Sequence, residues 1–527
     1  MPQKLSRCVV AAFYLAATFL LAAVISPYPV YSQDYGATAF LNSGSEEAQE
    51  PFLNGLLMLH SFEYEDAREA FQNAQHLDPD FAMAYWGEAM THNHPVWFSQ
   101  NREAAVAALE KLGATAEERL SRAGTDRERD YLEAAHVLFG EGDKHARDDA
   151  FAEEMARIAA EYPDDLDAAA FHALSLLGTS HEGRDFATYM RAAAAAEVVF
   201  AKNPRHPGAA HYLIHSYDDP VHAPLGLRAA RVYSDIAPAA AHAQHMPSHI
   251  FIALGMWDEV VRTNEASWDA SEQRVTAKNL SENDRGFHAL LWLTYAYLQQ
   301  GRYAEADSLI QIMHKSHQEA SSGRTAYHLS AMRAAYVVET EDWDSRAASI
   351  EVEPAKLSTE SGATEYFTRG LVSIGREELD EAADALSALR AIDGFDEDEN
   401  SAARARAMAY QLDGRLKAAR SGINDEALAS LRRAAEIEEA LPFDFGPPSP
   451  TKPSYELLAD ALLDEGNAEE AAMAYRRVLE IAPGRARTLE GLRRALELLG
   501  RTDEAADITD ELTLVRQNAD SSLQSHR

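Results

Sequence analysis

The chain has 527 residues, enough to bury a large core and more than a typical single globular domain holds. Its 85 acidic residues outnumber 48 basic ones, a formal charge of −37, which argues against nucleic acid or an anionic membrane surface as partner. The only cysteine is Cys8, so the rest of the chain offers no disulfide and no thiolate nucleophile or ligand.

At the N-terminus, Lys4 and Arg7 precede an uncharged run from Cys8 to Ile25. Pro27 then breaks any helix, and small residues offer a cut after Ser32. This order predicts a secretory signal peptide over residues 1–32. A membrane anchor is the rival reading, because the run could just span a bilayer. Cys8 lies before the apolar run, badly placed for lipid attachment. Cleavage predicts a periplasmic or secreted product with no integral membrane span, beginning with a linker at 33–47.

From there alanine-rich helical patterns run to the end, with no alternating strand pattern. In "KPSYELLADALLDEGNAEEAAMAYRRVLEIAP", Tyr455, Leu458, Ala459 and Leu462 mark one apolar face and Gly466 ends the helix. Ala471, Tyr475 and Val478 then mark a second helix, and Pro483 closes the unit. Gly55, Ala67, Phe71, Ala74 and Pro79 repeat the pattern, as do Tyr297, Gly301 and Ala306, and Gly500 and Ala505. The unit resembles the tetratricopeptide repeat, a helix–turn–helix of 34 residues. The resemblance implies an all-α fold, an α-solenoid superhelix of roughly ten to twelve units. Residues 48–440 form the main superhelix and 454–517 a C-terminal pair. Between them "LPFDFGPPSPTKP" at 441–453, rich in proline, reads as an extended connector and the weakest boundary. The polar tail 518–527 reads as frayed.

Two stretches stand out, "AHYLIHSYDDP" and "AAHAQHMPSHIF". His211 and His215 are four residues apart, one helical turn on one face, and so are His245 and His249. Each member of the first pair lies 34 residues before its counterpart, one repeat length. On the repeat resemblance, His242 and the two pairs occupy positions that line the concave groove, with Asp218 and Asp219 on groove positions too. Neutral imidazoles gathered there suit a transition metal, Zn or Cu before Fe or Ni, with Asp218 as an added hard ligand. Neither "HYLIH" nor "HMPSH" has the glutamate of HExxH, so a zinc-protease reading fails. Histidines bonded between helices, or solvated on a groove wall, are the alternative. Pro247 inside the second turn implies a kink, or the start of a shorter helix.

His60 and His94, also 34 apart, read as groove residues or as caps on helix C-termini. His288 reads as a groove neighbour matching His242, and His172 as a residue within reach of the cluster; His181 reads as a loop coincidence. Trp86, Trp292 and Tyr295 read as helix packing. No phosphate-binding glycine loop is present, so no nucleotide cofactor is expected. The stretches also resemble those of exported bacterial repeat proteins with HxxxH…HMPSHIF segments, a likeness that carries no activity. Two functions follow. One is a scaffold holding a peptide, protein or small-molecule ligand in its groove; the other is a metal-dependent enzyme using the histidine cluster.

Overall fold

The computed structural model describes residues 35–354, 357–392, 394–395 and 399–521. Segment 1–32, where the sequence predicts a signal peptide, and the last residues of the tail lie outside them. Among the described residues no helix is long and apolar enough to cross a membrane. Antiparallel helical hairpins succeed one another from Glu46–His60 with Tyr64–Leu77 to Ala486–Leu498 with Thr502–Val515. The one sheet among the described residues pairs Asn93–His94 with Ser99–Gln100, too short to leave a strand pattern in the sequence.

The quoted unit shows why these residues make hairpins. Helix Ser454–Asp464 buries Leu458, Ala459 and Leu462, and helix Ala468–Ile481 buries Ala471, Tyr475 and Val478 against them. Gly466 joins the two at φ +87°, a left-handed turn that glycine adopts without steric cost. Gly255, Gly301 and Gly500 occupy the same place in their own hairpins, at φ +67°, +73° and +70°.

The array does not stay open. Segment 35–45 is no free linker: it lies across the first repeats, with Phe40 buried, Ala37 N donating to Arg205 O at 3.0 Å and Thr38 bonded to Asp167. At the other end the C-terminal hairpins dock on the middle of the chain. Trp257 Nε1 donates to Gly484 O at 2.9 Å and the Ala486 amide to Gln299 Oε1 at 2.9 Å. Wholly buried Arg485 pairs with Glu456 at 2.7 Å and Glu339 at 2.5 Å, and donates to Tyr295 Oη. The tail joins this contact, since Ala519 is buried and Asp520 N donates to Gly301 O at 3.0 Å. The connector therefore marks no boundary. It is non-helical, as its prolines require, but it lies against the repeats as a wall. Its Gly446, at φ +91°, passes so close to Trp292 that a Cβ would stand 2.5 Å from the indole.

Replacing Arg485 leaves Glu339 buried without its cation and Glu456 with Lys452 alone, a loss of about 3–5 kcal/mol. Arg485→Ala is therefore expected to lower the unfolding free energy by that amount, read as a lower urea midpoint, and to separate an early C-terminal transition from the rest. An unchanged midpoint would contradict the docking.

Candidate metal centre

Helix Pro207–Ser216 carries His211 and His215 on one face, with Nε2 atoms 3.1 Å apart. His242, from the next repeat's helix Ala241–His245, brings its Nε2 within 3.2 Å of His211 Nε2. The second pair lies across Pro247, which starts a separate helix, Pro247–Ala253. Met246 nevertheless keeps helical angles, φ −53° and ψ −36°, so the two pieces run on in register. His245 and His249 stay one turn apart, Nε2 to Nε2 3.1 Å. His288, from helix Phe287–Gln299, completes that group. The six rings thus sort into two triads, His211/His215/His242 and His245/His249/His288, each offering three ligand atoms within 4.8 Å of one another. The triads touch: the His215 and His249 ring centroids are 5.8 Å apart, those of His242 and His245 6.2 Å.

Hydrogen bonds on the far side of three rings fix which nitrogen carries the proton. His211 Nδ1 faces the backbone carbonyl of His60 at 2.7 Å, an acceptor only. His249 Nδ1 faces the Asp218 carboxylate at 2.5 Å. His245 Nδ1 faces Asn264 Oδ1 at 2.7 Å, and the Asn264 amide nitrogen donates to Val260 O, which fixes that amide's orientation. Each Nδ1 is thus the donor, and in the neutral ring Nε2 carries the lone pair. In the second triad two such lone pairs face each other at 3.1 Å and repel unless a cation lies between them. Around a tetrahedral ion with metal–nitrogen bonds of about 2.0–2.1 Å, ligand nitrogens stand about 3.3 Å apart, close to what these rings present. Burial pushes His211, His215, His242 and His245 well below the ordinary value of 6.5, and His288 to about 3. All five are neutral near pH 7, the metal-binding form.

Asp218 is corrected from ligand to outer partner, because its carboxylate is bonded to the back of His249 rather than turned to the ring cluster. Asp219 is no groove residue: it is buried, paired with Arg184 at 2.8 Å and bonded to His222. His60 ends its helix, yet its ring neither caps that helix nor lines a groove. It is fully buried between Tyr212 Oη at 2.9 Å and Asp167 at 2.9 Å, with His206 on the same carboxylate. Against the upward push of burial, bonds from His206 and His60 hold Asp167 below the usual carboxylate range. Donors there meet acceptors, so this third cluster is satisfied without an ion. His94 stacks on Tyr64 at 4.0 Å in the short strand pair and bonds Thr91 O, at the end of helix Ala82–Met90. His172 faces a shallow outer pocket with Arg191, and His181 pairs with Asp149; neither reaches the cluster.

Three aromatic residues matter more than the sequence suggested. Trp292 packs on His249 with ring centroids 4.4 Å apart and planes tilted by 33°, and it meets His245 and His288, beyond its helix-packing role. Connector residue Phe445 covers His249 at 5.1 Å. Phe62 floors the first triad, 4.2 Å from His211 and 5.5 Å from His242. It occupies the hairpin turn where other units place glycine, at φ +58°, a conformation costing a side chain about 1–3 kcal/mol. A bulky residue in a glycine slot was the legible signal.

His242 and His288, the half-buried ring of each triad, both open on a cleft of about 860 Å³ walled by Trp97, Trp292, Tyr327 and Phe445. A smaller cavity, about 260 Å³, reaches Asp218 but none of the six imidazoles.

Architecture and site define an α-solenoid built around a histidine-rich centre. Residues 462–525 match a tetratricopeptide repeat family model. Similar solved structures include a human IFIT1 dimer with PPP-AAAA, at 13% identity over 93% of this chain and 98% of that one, TM-score 0.39. Yeast Tom70 is another, at 13% identity over 89% and 92%, TM-score 0.29. No curated protein matches the chain.

The buried neutral rings set a pH dependence. Burial lowers His60 and His328 to about 4, so between 6.5 and 4 the unfolded chain binds protons that the folded chain refuses. Stability is full above pH 6.5 and is lost as pH falls toward 4, by about 3 kcal/mol for His60 alone. Urea titrations of metal-free protein at pH 7 and 4.5 measure this; equal midpoints would contradict neutral burial.

Proposed function

We propose that this protein is an exported metalloprotein, a repeat superhelix that holds two transition-metal ions, one in each imidazole triad, beneath a ligand-binding cleft. The His245–His249 contact carries the reading. Two Nε2 atoms whose rings have already committed their Nδ1 protons approach to 3.1 Å, an arrangement a shared cation relieves. Imidazole-only inner sets suit copper or zinc, and the divalent series places copper tightest. Three protein ligands leave a coordination position open, as in catalytic rather than closed structural sites. The chain's charge of −37 favours cation capture from solution. The superhelix supplies the binding surface, as repeat proteins of this kind do, and the cleft's volume falls in the range of small-molecule sites.

Protein loaded with Zn²⁺ or Cu²⁺ and dialysed is expected to retain two ions per chain by elemental analysis. His211→Ala and His245→Ala should each retain one, and the double variant none. At free metal a thousandfold above Kd, one site adds about 4 kcal/mol of stability, read as a rise in Tm. One ion per chain, lost in either single variant, would replace two sites by a shared one; none retained would end the metal reading.

A further inference from the structure

Resting on that two-ion reading, we infer that the cleft binds a planar phenolic acid, and that the metals, as a copper pair, oxidise its ring hydroxyls with dioxygen.

The geometry starts from which rings are reachable. His211, His215, His245 and His249 are buried, whereas His242 and His288, one from each triad, line the same cleft. The position left open on each three-imidazole set therefore faces one common space. Since the triads touch, a molecule with two adjacent oxygen atoms can approach both positions at once.

Inner-set chemistry then selects the metal's role. No carboxylate enters either triad, and Asp218 is held behind His249, so the ligands are neutral and lack the hard oxygen atoms that magnesium, calcium or manganese need. Zinc is redox-silent. Copper is bound by imidazole and cycles between two oxidation states, and two copper ions side by side pass two electrons in one encounter.

The walls select the substrate. Trp97 and Tyr327, 48% and 44% exposed, stand beside Trp292 and Phe445, presenting large aromatic faces to the cleft rather than to a core. Faces of this kind bind a flat ring by stacking. On the same lining, Arg324 donates to the backbone carbonyls of Asn283 and Arg285. No carboxylate lies within ion-pair distance of it among the described residues; Asp284 and Glu65 act on it from farther off. A carboxylate carried by the ligand supplies a direct counter-charge. An aromatic diol with an acidic substituent satisfies all three features.

The reaction balances with dioxygen as oxidant. Each of two diol molecules gives up two electrons and its two hydroxyl protons, and its C–O bonds become carbonyls. One dioxygen takes the four electrons and four protons, its O–O bond breaks, and two waters leave.

The test uses full-length protein carrying measured copper, with dihydroxybenzoate and uncharged catechol as probes. Oxygen uptake and quinone absorbance are followed together. Expected are one dioxygen consumed for every two quinones, and loss of turnover in His245→Ala, which keeps one copper. Arg324→Ala, at an exposed position, should raise KM for dihydroxybenzoate about tenfold more than it raises KM for catechol, with copper content measured in each. Two coppers retained without oxygen uptake above that of the same concentration of free copper would overturn this inference and leave the two-ion reading standing. Fewer than two retained would overturn both. Equal turnover with one copper would refute the paired action, and an Arg324→Ala effect that is absent, or equal on both probes, would refute the acidic substituent.

Discussion

Hydrogen bonds made by the backs of three imidazole rings govern the centre of this protein. The His60 carbonyl, the Asp218 carboxylate and the Asn264 amide oxygen each take an Nδ1 proton, and so turn a lone pair inward. Two of these acceptors are themselves fixed. His60 is held by Asp167 and Tyr212, Asn264 by the Val260 carbonyl. Gly208 lets helix Pro207–Ser216 approach that support; a Cβ there would stand 2.5 Å from His60 Nδ1. Outer partners of this kind orient metal-binding imidazoles and raise their basicity. The satisfied His60–Asp167–His206 cluster belongs to the same scheme as support for the first triad.

The solenoid closes around that centre. In an open array each repeat would contact only its neighbours, and the rings of three successive units would lie on a solvated groove wall. Here the N-terminal segment, the connector and the C-terminal hairpins fold in. Phe62 and Phe445 seal the triads from two sides, while the Arg485 cluster ties the last repeats to the helices bearing Tyr295 and Glu339. Water is thereby kept from most of the imidazoles, which keeps them neutral, and access narrows to the side of His242 and His288. Strain at Phe62 and the tight passage at Gly446 are local costs of that enclosure.

Much of this was legible in the sequence. The Gly466 and Gly500 turns, and the apolar faces of residues 452–483, identified the helical hairpin, because packing fixes small and large residues at set places along each unit. Four-residue and 34-residue spacings brought His211, His215, His245 and His249 to one face. The spacings alone group those four into a single site, while in the structure each pair has its own third ring. His288 comes from a helix whose approach depends on how repeats stack, which spacing cannot fix. Asp218 had the right position but the wrong role, since only geometry shows whether a carboxylate faces the cluster or the back of a ring. The docking of the C-terminal hairpins was illegible for a related reason. Arg485, Glu339 and Tyr295 are far apart in the chain, and nothing local announces a buried ion pair.

An anomalous-difference map from crystals of the copper-loaded or zinc-loaded protein addresses the central claim most directly. Two peaks are expected, one among the Nε2 atoms of His211, His215 and His242, the other among the imidazole nitrogens of His245, His249 and His288, both next to the cleft. One peak shared by His211, His215, His245 and His249, or no peak at the imidazoles with metal in the crystal, would contradict the account.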